Sequence, residues 1–351
     1  MNARTKLTAV VVATLGTAGP LGAAPATFPV AGGATRPAVS KIALPGAPPT
    51  GVGMDYLAYD GAHHRVWVPA GNTGSVDVID TASGGVTRIE GFATAQMERR
   101  GTKRTVGPSS ATVGVGVVYV GNRADGTVCA VDATTLRRGA CAKLTSMPDG
   151  LAYVASTKEV WVTTPRTDTL TILDAGTLAA KGELKLEGQP EGFAVDDARG
   201  VFYTNLEDKN RTLAIDVKAR RVTSTWQPKC SEDGPKGLAF SARANFLFVA
   251  CADQVLVMDA GHQGRELARL ATGDGVDNIF FVEGRHELYV GAAHAARLTV
   301  ARVDARGALA VVAKVPTAAG ARNPVATDDG VAYLTDSPGG AILVVNPAAK
   351  P

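Results

Sequence analysis

The chain has 351 residues, 45% of them hydrophobic and 20% charged, with a formal net charge of +3. This is the composition of an ordinary globular protein with enough apolar residues for a sizeable core. The small net charge argues against nucleic acid as a partner, because it leaves no global basic footprint.

The first 26 residues have the pattern of a secretory signal peptide. Arg4 and Lys6 precede an apolar stretch rich in Ala, Val and Leu, and small residues follow up to Ala26. We therefore predict export to the periplasm or the medium, with residues 1–26 as the signal peptide and residues 27–37 as a flexible segment. Loss of the signal removes two positive charges and takes the formal charge from +3 to +1.

A membrane anchor is the alternative interpretation of this segment. Gly16, Gly19 and Pro20 interrupt the apolar run and leave it shorter than the roughly 20 residues that a membrane span needs. No later segment is long and apolar enough to span a membrane, so we expect none after signal removal.

Three short phrases recur along the rest of the chain. The most regular is an alternating strand whose last residue is acidic or an amide: Asp80, Asp132, Asp174, Asp216, Asp259, Asp304 and Asn346. The steps between these residues are 52, 42, 42, 43, 45 and 42. An apolar motif such as PDGLAY (148–153) comes before this strand in each repeat. A further strand such as VYVGN (118–122) lies between the apolar motif and the strand that ends in the acid or amide. Each repeat thus offers four segments with period-2 alternation, separated by Gly, Asp or Asn turns.

These repeats predict an all-β fold, a seven-bladed β-propeller over residues 38–347 with four antiparallel strands in each blade. The last repeat ends after its third strand, near Asn346. A spare strand at 38–46 is similar to fourth strands elsewhere, such as residues 181–189. We predict that this N-terminal strand completes the last blade and closes the ring, which leaves no free edge.

The first step is the longest because of an insertion at 91–110, between blades one and two. It contains Arg99, Arg100, Lys103 and Arg104 against Glu98. The insertion is either a solvated loop or a lid over the channel mouth that favours an anionic ligand.

The residue in front of each apolar phrase varies from blade to blade. In a propeller the innermost strands line the channel, so these leading residues are predicted to form a ring at one mouth. They are Asp55, Ser109 or Ser110, Asp149, Glu191, Lys236, Asp277 with Asn278, and Asn323. The loops between the second and third strands of each blade open on the same face, so their polar residues are predicted to surround the ring. These residues are Asn72, Asn122, Arg123, Arg166, Asn205, Glu207, His294 and Asp336.

Loop residues on a rigid frame are where binding sites are usually built, so we predict a ligand site at this mouth. The alternative is that the Asp and Asn residues before Gly only form turns, around a polar mouth filled with water. The other histidines, His63, His64, His262 and His286, fall in turns on the opposite face. The sequence lacks G-x-S-x-G, H-E-x-x-H, P-loop and C-x-x-C-H motifs.

Four cysteines in an exported chain suggest two disulfides. Cys129 and Cys141 fall on adjacent antiparallel strands of blade two, whereas Cys230 and Cys251 fall in adjoining loops at the mouth. We predict the pairs Cys129–Cys141 and Cys230–Cys251, with free buried thiols as the alternative.

The segments VYVGN (118–122) and VFYTN (201–205), each followed by an alternating strand that ends in Asp, resemble the YVTN-repeat (YncE-like) propellers. The resemblance covers nearly all of the predicted mature chain. It implies the propeller fold and a periplasmic or surface location, and it implies no particular reaction.

The phrases EGFAVD (191–196) and PDGLAY (148–153) also resemble the strand openings of gluconolactonase-type propellers, which hold one divalent ion at the channel mouth. By that likeness Glu191 and Asp149 would be metal ligands, and Ca²⁺ or Mg²⁺ would suit their oxygens. Those enzymes have six blades, whereas this chain has seven repeats. The virginiamycin B lyase propellers have seven blades, a magnesium site and a catalytic histidine, for which His294 is the candidate here.

We therefore expect a monomeric binding module that takes a small molecule or a protein at its channel mouth. The alternative is a metal-dependent lactonase, hydrolase or lyase of gluconolactonase-like type, in which Asp55 or Asp277 activates water beside the ion. Asp55, Asp277, Asp149 and Glu191 together form a ring of like charges. Lys236 can neutralise only one of these charges, so a divalent cation is expected to relieve the repulsion among the others.

Overall fold

The computed structural model describes residues 38–99 and 101–347. The predicted signal peptide (1–26) and the segment 27–37 lie outside the described residues. The described chain forms seven four-stranded antiparallel sheets and one two-stranded hairpin. The predicted seven-bladed β-propeller is thereby confirmed.

In blades one to six the strands lie in chain order from the channel outward. The first described strand is β1 Ala38–Ala43. Blade one contains β2 Ala58–Asp60, β3 Arg65–Ala70, β4 Ser75–Asp80 and β5 Val86–Ile89. The hairpin that follows contains β6 Ala95–Arg99 and β7 Thr102–Val106. Blade two contains β8 Pro108–Val113, β9 Val117–Asn122, β10 Thr127–Asp132 and β11 Arg138–Lys143.

The remaining blades repeat this pattern. Blade three contains β12 Leu151–Val154, β13 Glu159–Thr164, β14 Thr169–Asp174 and β15 Ala180–Lys185. Blade four contains β16 Pro190–Asp196, β17 Val201–Leu206, β18 Arg211–Asp216 and β19 Arg221–Trp226. Blade five contains β20 Leu238–Ser241, β21 Phe246–Ala250, β22 Gln254–Asp259 and β23 Arg265–Ala271. Blade six contains β24 Val276–Val282, β25 Glu287–Ala292, β26 Arg297–Val303 and β27 Leu309–Pro316. Blade seven contains β28 Ala321–Ala326, β29 Ala332–Asp336 and β30 Ala341–Asn346.

Helical structure in the described part of the chain is limited to single 3₁₀ turns. They are Gly71–Thr73, Pro165–Thr167, Glu207–Lys209 and Ala260–His262. None of these turns is long and apolar enough to cross a membrane.

The N-terminal strand closes the ring, as predicted. β1 pairs antiparallel with β30 in unbroken register, from Ala38 opposite Asn346 to Ala43 opposite Ala341. It therefore supplies the fourth strand of blade seven, whose sheet order is β1-β30-β29-β28.

The core lies between the blades. Seven apolar clusters fill the seven interfaces between neighbouring sheets. In blade three, Trp161 stacks on Phe202 of blade four with ring centroids 5.0 Å apart. The neighbouring residues Val160 and Val162 belong to the cluster shared with blade two. Period-2 alternation therefore sends successive side chains into two different interfaces, which is why both faces of each blade are apolar.

The aspartates that end the third strands have a structural role. The carboxylates of Asp80, Asp132, Asp174 and Asp216 each accept backbone N–H bonds from residues two and three positions later. These bonds stabilise the turn into the fourth strand and lower the pKa of Asp80, Asp132 and Asp174. The recurring acid is thus explained by turn formation rather than by a ligand site.

The leading residues are displayed by irregularities of the innermost strands. In blades four, six and seven two consecutive residues lie opposite a single partner residue: Glu191 with Gly192, Asp277 with Asn278, and Asn323 with Pro324. Such bulges change the direction in which a side chain points.

Glycine follows several leading residues because the innermost strands approach each other closely. A Cβ added at Gly192 would lie 2.3 Å from the carbonyl oxygen of Lys236, and one at Gly237 would lie 2.6 Å from the Cα of Asn278. Neither glycine has a positive φ. The Glu-Gly and Lys-Gly pairs in these blades are therefore required by blade-to-blade contact and not by a turn.

Both predicted disulfides are confirmed. Cys129 and Cys141 lie directly opposite each other on β10 and β11 and are bonded. Cys230, which precedes blade five, is bonded to Cys251, which follows β21.

Deletion of the closing strand tests the architecture. A chain that begins at Ala47 should melt about 10 °C or more below a control chain that begins at Ala38, because the loss exposes the β30 edge and the apolar cluster between blades seven and one. Thermal unfolding followed by circular dichroism measures the difference. Equal melting temperatures would show that β1 does not hold the ring.

Candidate functional site

The leading residues converge on one face of the propeller. Six of them line a cavity of about 720 Å³ at the channel mouth: Asp55, Ser109, Asp149, Glu191, Lys236 and Asp277. Asn278 and Asn323 line a smaller cavity of about 130 Å³ that also touches Asp55. The structure thus brings the predicted ring together.

Arg123 connects three blades. Its guanidinium Nη2 donates to Asp55 Oδ2 at 2.8 Å and to Asp149 Oδ1. Burial alone would lower the pKa of Arg123, but the charges of Asp149 and Asp55 outweigh it and raise the pKa. This buried arginine therefore stays charged and neutralises part of the ring.

A second set of bonds joins blades six, seven and one. The Asn323 amide nitrogen donates to Asp55 Oδ1 at 3.1 Å and to Asp277 Oδ2 at 3.3 Å. The Asn323 side-chain oxygen accepts the Asn278 backbone N–H at 3.0 Å. Arg322 pairs with Asp277 at 2.9 Å. The amide and the arginine thus hold Asp277 beside Asp55.

Lys236 and Glu191 have different surroundings. Lys236 forms an ion pair with Glu207 on the loop of the preceding blade. Glu191, which is partly accessible to the cavity, has no hydrogen-bond or ion-pair partner among the described residues. Of the four ring acids, Glu191 is therefore the one without a partner in the described part of the chain.

Three of the ring acids, Asp149, Glu191 and Asp277, have raised pKa values. Burial, followed by the charges of Asp149, Asp277 and Asp55, raises the pKa of Glu191 well above its usual range. Burial also raises the pKa of Asp149 and of Asp277, although Arg123 and Arg322 oppose the change.

Two aromatic residues meet across the channel beneath the ring. Tyr56 of blade one and Phe193 of blade four have ring centroids 5.4 Å apart. Both line the smaller cavity, together with Leu238 and Phe280. The floor of the mouth is therefore largely apolar, and the channel is not wide at this level.

Several buried polar atoms at this mouth have no hydrogen-bond partner in the described part of the chain. They are Tyr56 OH, Ser109 Oγ, Ser110 Oγ, Arg123 Nε, Asp149 Oδ2 and Asn278 Nδ2. Buried polar atoms are rarely left unsatisfied in folded proteins, so this part of the channel is less completely hydrogen-bonded than the rest of the interior.

Three predicted binding residues serve the backbone instead. Asn72 bonds to the backbone of Gly53 and Gly51. Asn122 donates to the Ala93 carbonyl, and Asn205 donates to the Lys236 carbonyl. These amides hold the backbone of nearby loops and do not line the mouth cavity. Asp336 pairs with Lys41 of the closing strand at 3.1 Å.

The other predicted loop residues lie at the rim. His294 Nδ1 is 2.9 Å from Asp274 Oδ2, and both side chains are mostly exposed. Arg166 lines the cavity and donates to the Met97 sulfur at 3.1 Å. Glu207 also lines it, beside Lys236.

The insertion at 91–110 contains the β6–β7 hairpin. Met97, Arg104 and Val106 line the mouth cavity, so the hairpin forms part of its wall. Lys103 is exposed. Arg100 and the side chain of Arg99 lie outside the described residues.

The carboxylates of the ring do not gather around one point in the described part of the chain. In residues 38–99 and 101–347, no group of three His, Cys, Asp or Glu side chains is placed to hold one ion. The arginines also supply neutralisation that the sequence reasoning had assigned to a cation. The expectation of Ca²⁺ or Mg²⁺ stays a prediction, and no chemical step is derived from an ion here.

Sequence reasoning missed Tyr56, Phe193 and Arg322. The signal for Tyr56 is its place in the repeat: MDYLAYD has Tyr where PDGLAYV has Gly. Arg322 directly precedes the leading residue of blade seven. Contact between Tyr56 and Phe193 across the ring could not be predicted, because it depends on the channel diameter.

No family model matches the chain, and no curated protein matches it by sequence. Solved structures do match. Hydrazine synthase of Kuenenia stuttgartiensis has a TM-score of 0.71 at 15% identity, over 86% of this chain and 97% of that chain. A chain of the mitotic checkpoint complex has a TM-score of 0.70 at 14% identity, over 94% and 100%. Virginiamycin B lyase from Staphylococcus aureus has a TM-score of 0.69 at 12% identity, over 89% and 99%. At these identities the similarity shows the propeller fold alone.

Replacement of Glu191 tests whether the charge of this ring acid lowers the stability of the protein. Glu191→Gln should raise the melting temperature at pH 8 by about 2 °C or more and leave it unchanged near pH 4. The pKa of Glu191 is higher in the folded protein than in the unfolded chain. The stability of the wild type therefore falls as the pH rises between these two pKa values, whereas glutamine stays neutral.

The matched control is Glu187→Gln, a nearby glutamate whose side chain is 75% exposed and pairs with Arg211. This control should change the melting temperature little at either pH. A Glu191→Gln protein that is less stable than wild type at pH 8 would contradict the assignment of an uncompensated buried acid.

Proposed function

We propose that this protein is an exported binding module that takes a small polar molecule in the cavity at its channel mouth. The observation that carries the proposal is a cavity of about 720 Å³ at the mouth, to which every blade contributes a charged residue. Cavities of roughly 300–1,000 Å³ with a few convergent polar groups are typical of small-molecule sites.

A small molecule suits this cavity better than a protein surface does. Asp149, which lines this cavity, is only 6% exposed. A small molecule can enter the cavity, whereas a flat partner would cover the rim and leave the cavity unfilled.

Export is supported by two features. The two disulfides fit an oxidising compartment. The first 26 residues have the composition of a signal peptide. The likeness of the repeats to the YVTN-repeat propellers agrees with this location.

An enzymatic role, as a hydrolase or lyase, is the second candidate. It is favoured by Glu191, which faces the cavity and has a raised pKa, as a general acid requires. The fold shared with virginiamycin B lyase is compatible with it. In this case Glu191→Gln would abolish turnover while the substrate still binds.

A thermal-shift screen of small metabolites tests the proposed function. Wild-type protein is compared with Ala252→Trp, which places a bulky side chain in the mouth cavity. At least one compound should raise the wild-type melting temperature and fail to raise that of the blocked protein, because a ligand stabilises only the state that binds it.

The matched control for this screen is Ala155→Trp, at an exposed turn between the first and second strands of blade three on the opposite face. It should respond to the compounds as the wild type does. If every stabilising compound acts equally on all three proteins, the mouth is not the binding site.

A further inference from the structure

We infer that the mouth cavity binds an oxyanion, a carboxylate or phosphate group, between Arg104 of the β6–β7 hairpin and Arg166 of blade three. This inference rests on the proposed function and names a chemical group of its ligand.

The two arginines meet at Met97. On the hairpin, Met97 of β6 lies directly opposite Arg104 of β7. Side chains of directly opposite residues project from the same face of a two-stranded sheet, with Cβ atoms about 5 Å apart. From blade three, Arg166 Nη2 donates to the Met97 sulfur at 3.1 Å. Both arginines are therefore neighbours of one methionine, and all three residues line the mouth cavity.

Acids close to the two arginines in the chain are directed to other cations. Glu98, the one acid of the hairpin, lies opposite Lys103 on the other face of the sheet. Asp168 follows the turn that contains Arg166, and it pairs with Lys185 at 3.2 Å. The sulfur that Arg166 contacts is only a weak acceptor. Arg166 therefore has no carboxylate partner in the described part of the chain.

The acids that line the cavity belong mostly to another part of its wall. Those from blades four to six and the loops between them are Glu191, Glu207, Asp233, Asp274 and Asp277. Three of these acids pair with Lys236, His294 and Arg322. The two other acids among the described lining residues come from blades one and three, and both bond to Arg123. The hairpin side of the cavity therefore differs in charge from the side formed by blades four to six.

Two neighbouring guanidinium groups suit an oxyanion. Each guanidinium presents N–H donors in a planar fork that matches two oxygens of a carboxylate or phosphate. The positive charges of Arg104 and Arg166 repel each other, and an anion placed between them removes that repulsion. A neutral or cationic group would leave it in place. Both arginines are exposed, so an anion can reach them from solvent.

A bound oxyanion would connect the hairpin to blade three. The hairpin lies in the chain between blades one and two, and its contact with Arg166 carries it to blade three. An anion held by both arginines adds charged hydrogen bonds to that contact. Hydrogen exchange of backbone amides in residues 102–106 should therefore slow when the anion binds.

Isothermal titration calorimetry with sodium phosphate tests the inference, and disodium butanedioate forms a second arm. Both titrations are made near about pH 7.5 at one fixed ionic strength, because salt screens exposed charges. At least one of the two anions should bind, and it should bind about tenfold or more tightly than chloride, which cannot engage the guanidinium forks. The tighter arm identifies phosphate or carboxylate as the preferred group.

Two variants locate the site, and a third is the matched control. Arg104→Gln and Arg166→Gln should each weaken binding of the anion about tenfold, because each removes one charged fork. Lys103→Gln removes the same charge from the neighbouring position on the other face of the hairpin, and it should change the affinity less than about twofold. Melting curves establish that each variant is folded.

The outcomes separate the inference from the proposed function. If Lys103→Gln weakens binding as much as the arginine variants do, the attraction is general and the oxyanion site is overturned. If neither anion binds, but the metabolite screen finds a ligand that Ala252→Trp excludes, the inference fails and the proposed function stands. If neither anion binds and the screen finds no mouth ligand, both fail.

Discussion

The pairing of β1 with β30 is the contact on which the rest of the structure depends. It joins the two ends of the propeller domain in one sheet and brings blade seven against blade one. Only then can Asn323 reach the backbone and side chain of Asp55, which lies 268 residues away in the chain. The cavity at the mouth is lined by loops of all the blades, so it exists only in the closed ring.

The frame and the leading residues obey different constraints. Glycines such as Gly192 and Gly237 let the innermost strands approach each other, and alternating apolar residues fill the interfaces between blades. The leading side chain faces the channel, where packing imposes little, so its chemistry can differ in each blade. The outcome is a ring in which Arg123 and Asn323 hold acids from different blades together.

The sequence predicted the fold well because its signals are local and repeated. Period-2 alternation, a regular step and the odd strand at 38–46 were sufficient for seven blades and their closure, and strand adjacency was sufficient for the disulfides. The site was predicted only as a set of positions. Asn205 bonds to a carbonyl of the neighbouring blade, and one arginine reaches two carboxylates. These contacts depend on distances between blades, which no local sequence pattern indicates.

The most direct test of this account is a titration of the Glu191 carboxyl by ¹³C nuclear magnetic resonance, with Glu191→Gln used to assign the signal. Glu191 faces the mouth cavity, and burial followed by the charges of Asp149, Asp277 and Asp55 raises its pKa. The expected midpoint therefore lies well above that of an ordinary glutamate. A midpoint near about 4.3, the value of an exposed glutamate, would contradict it.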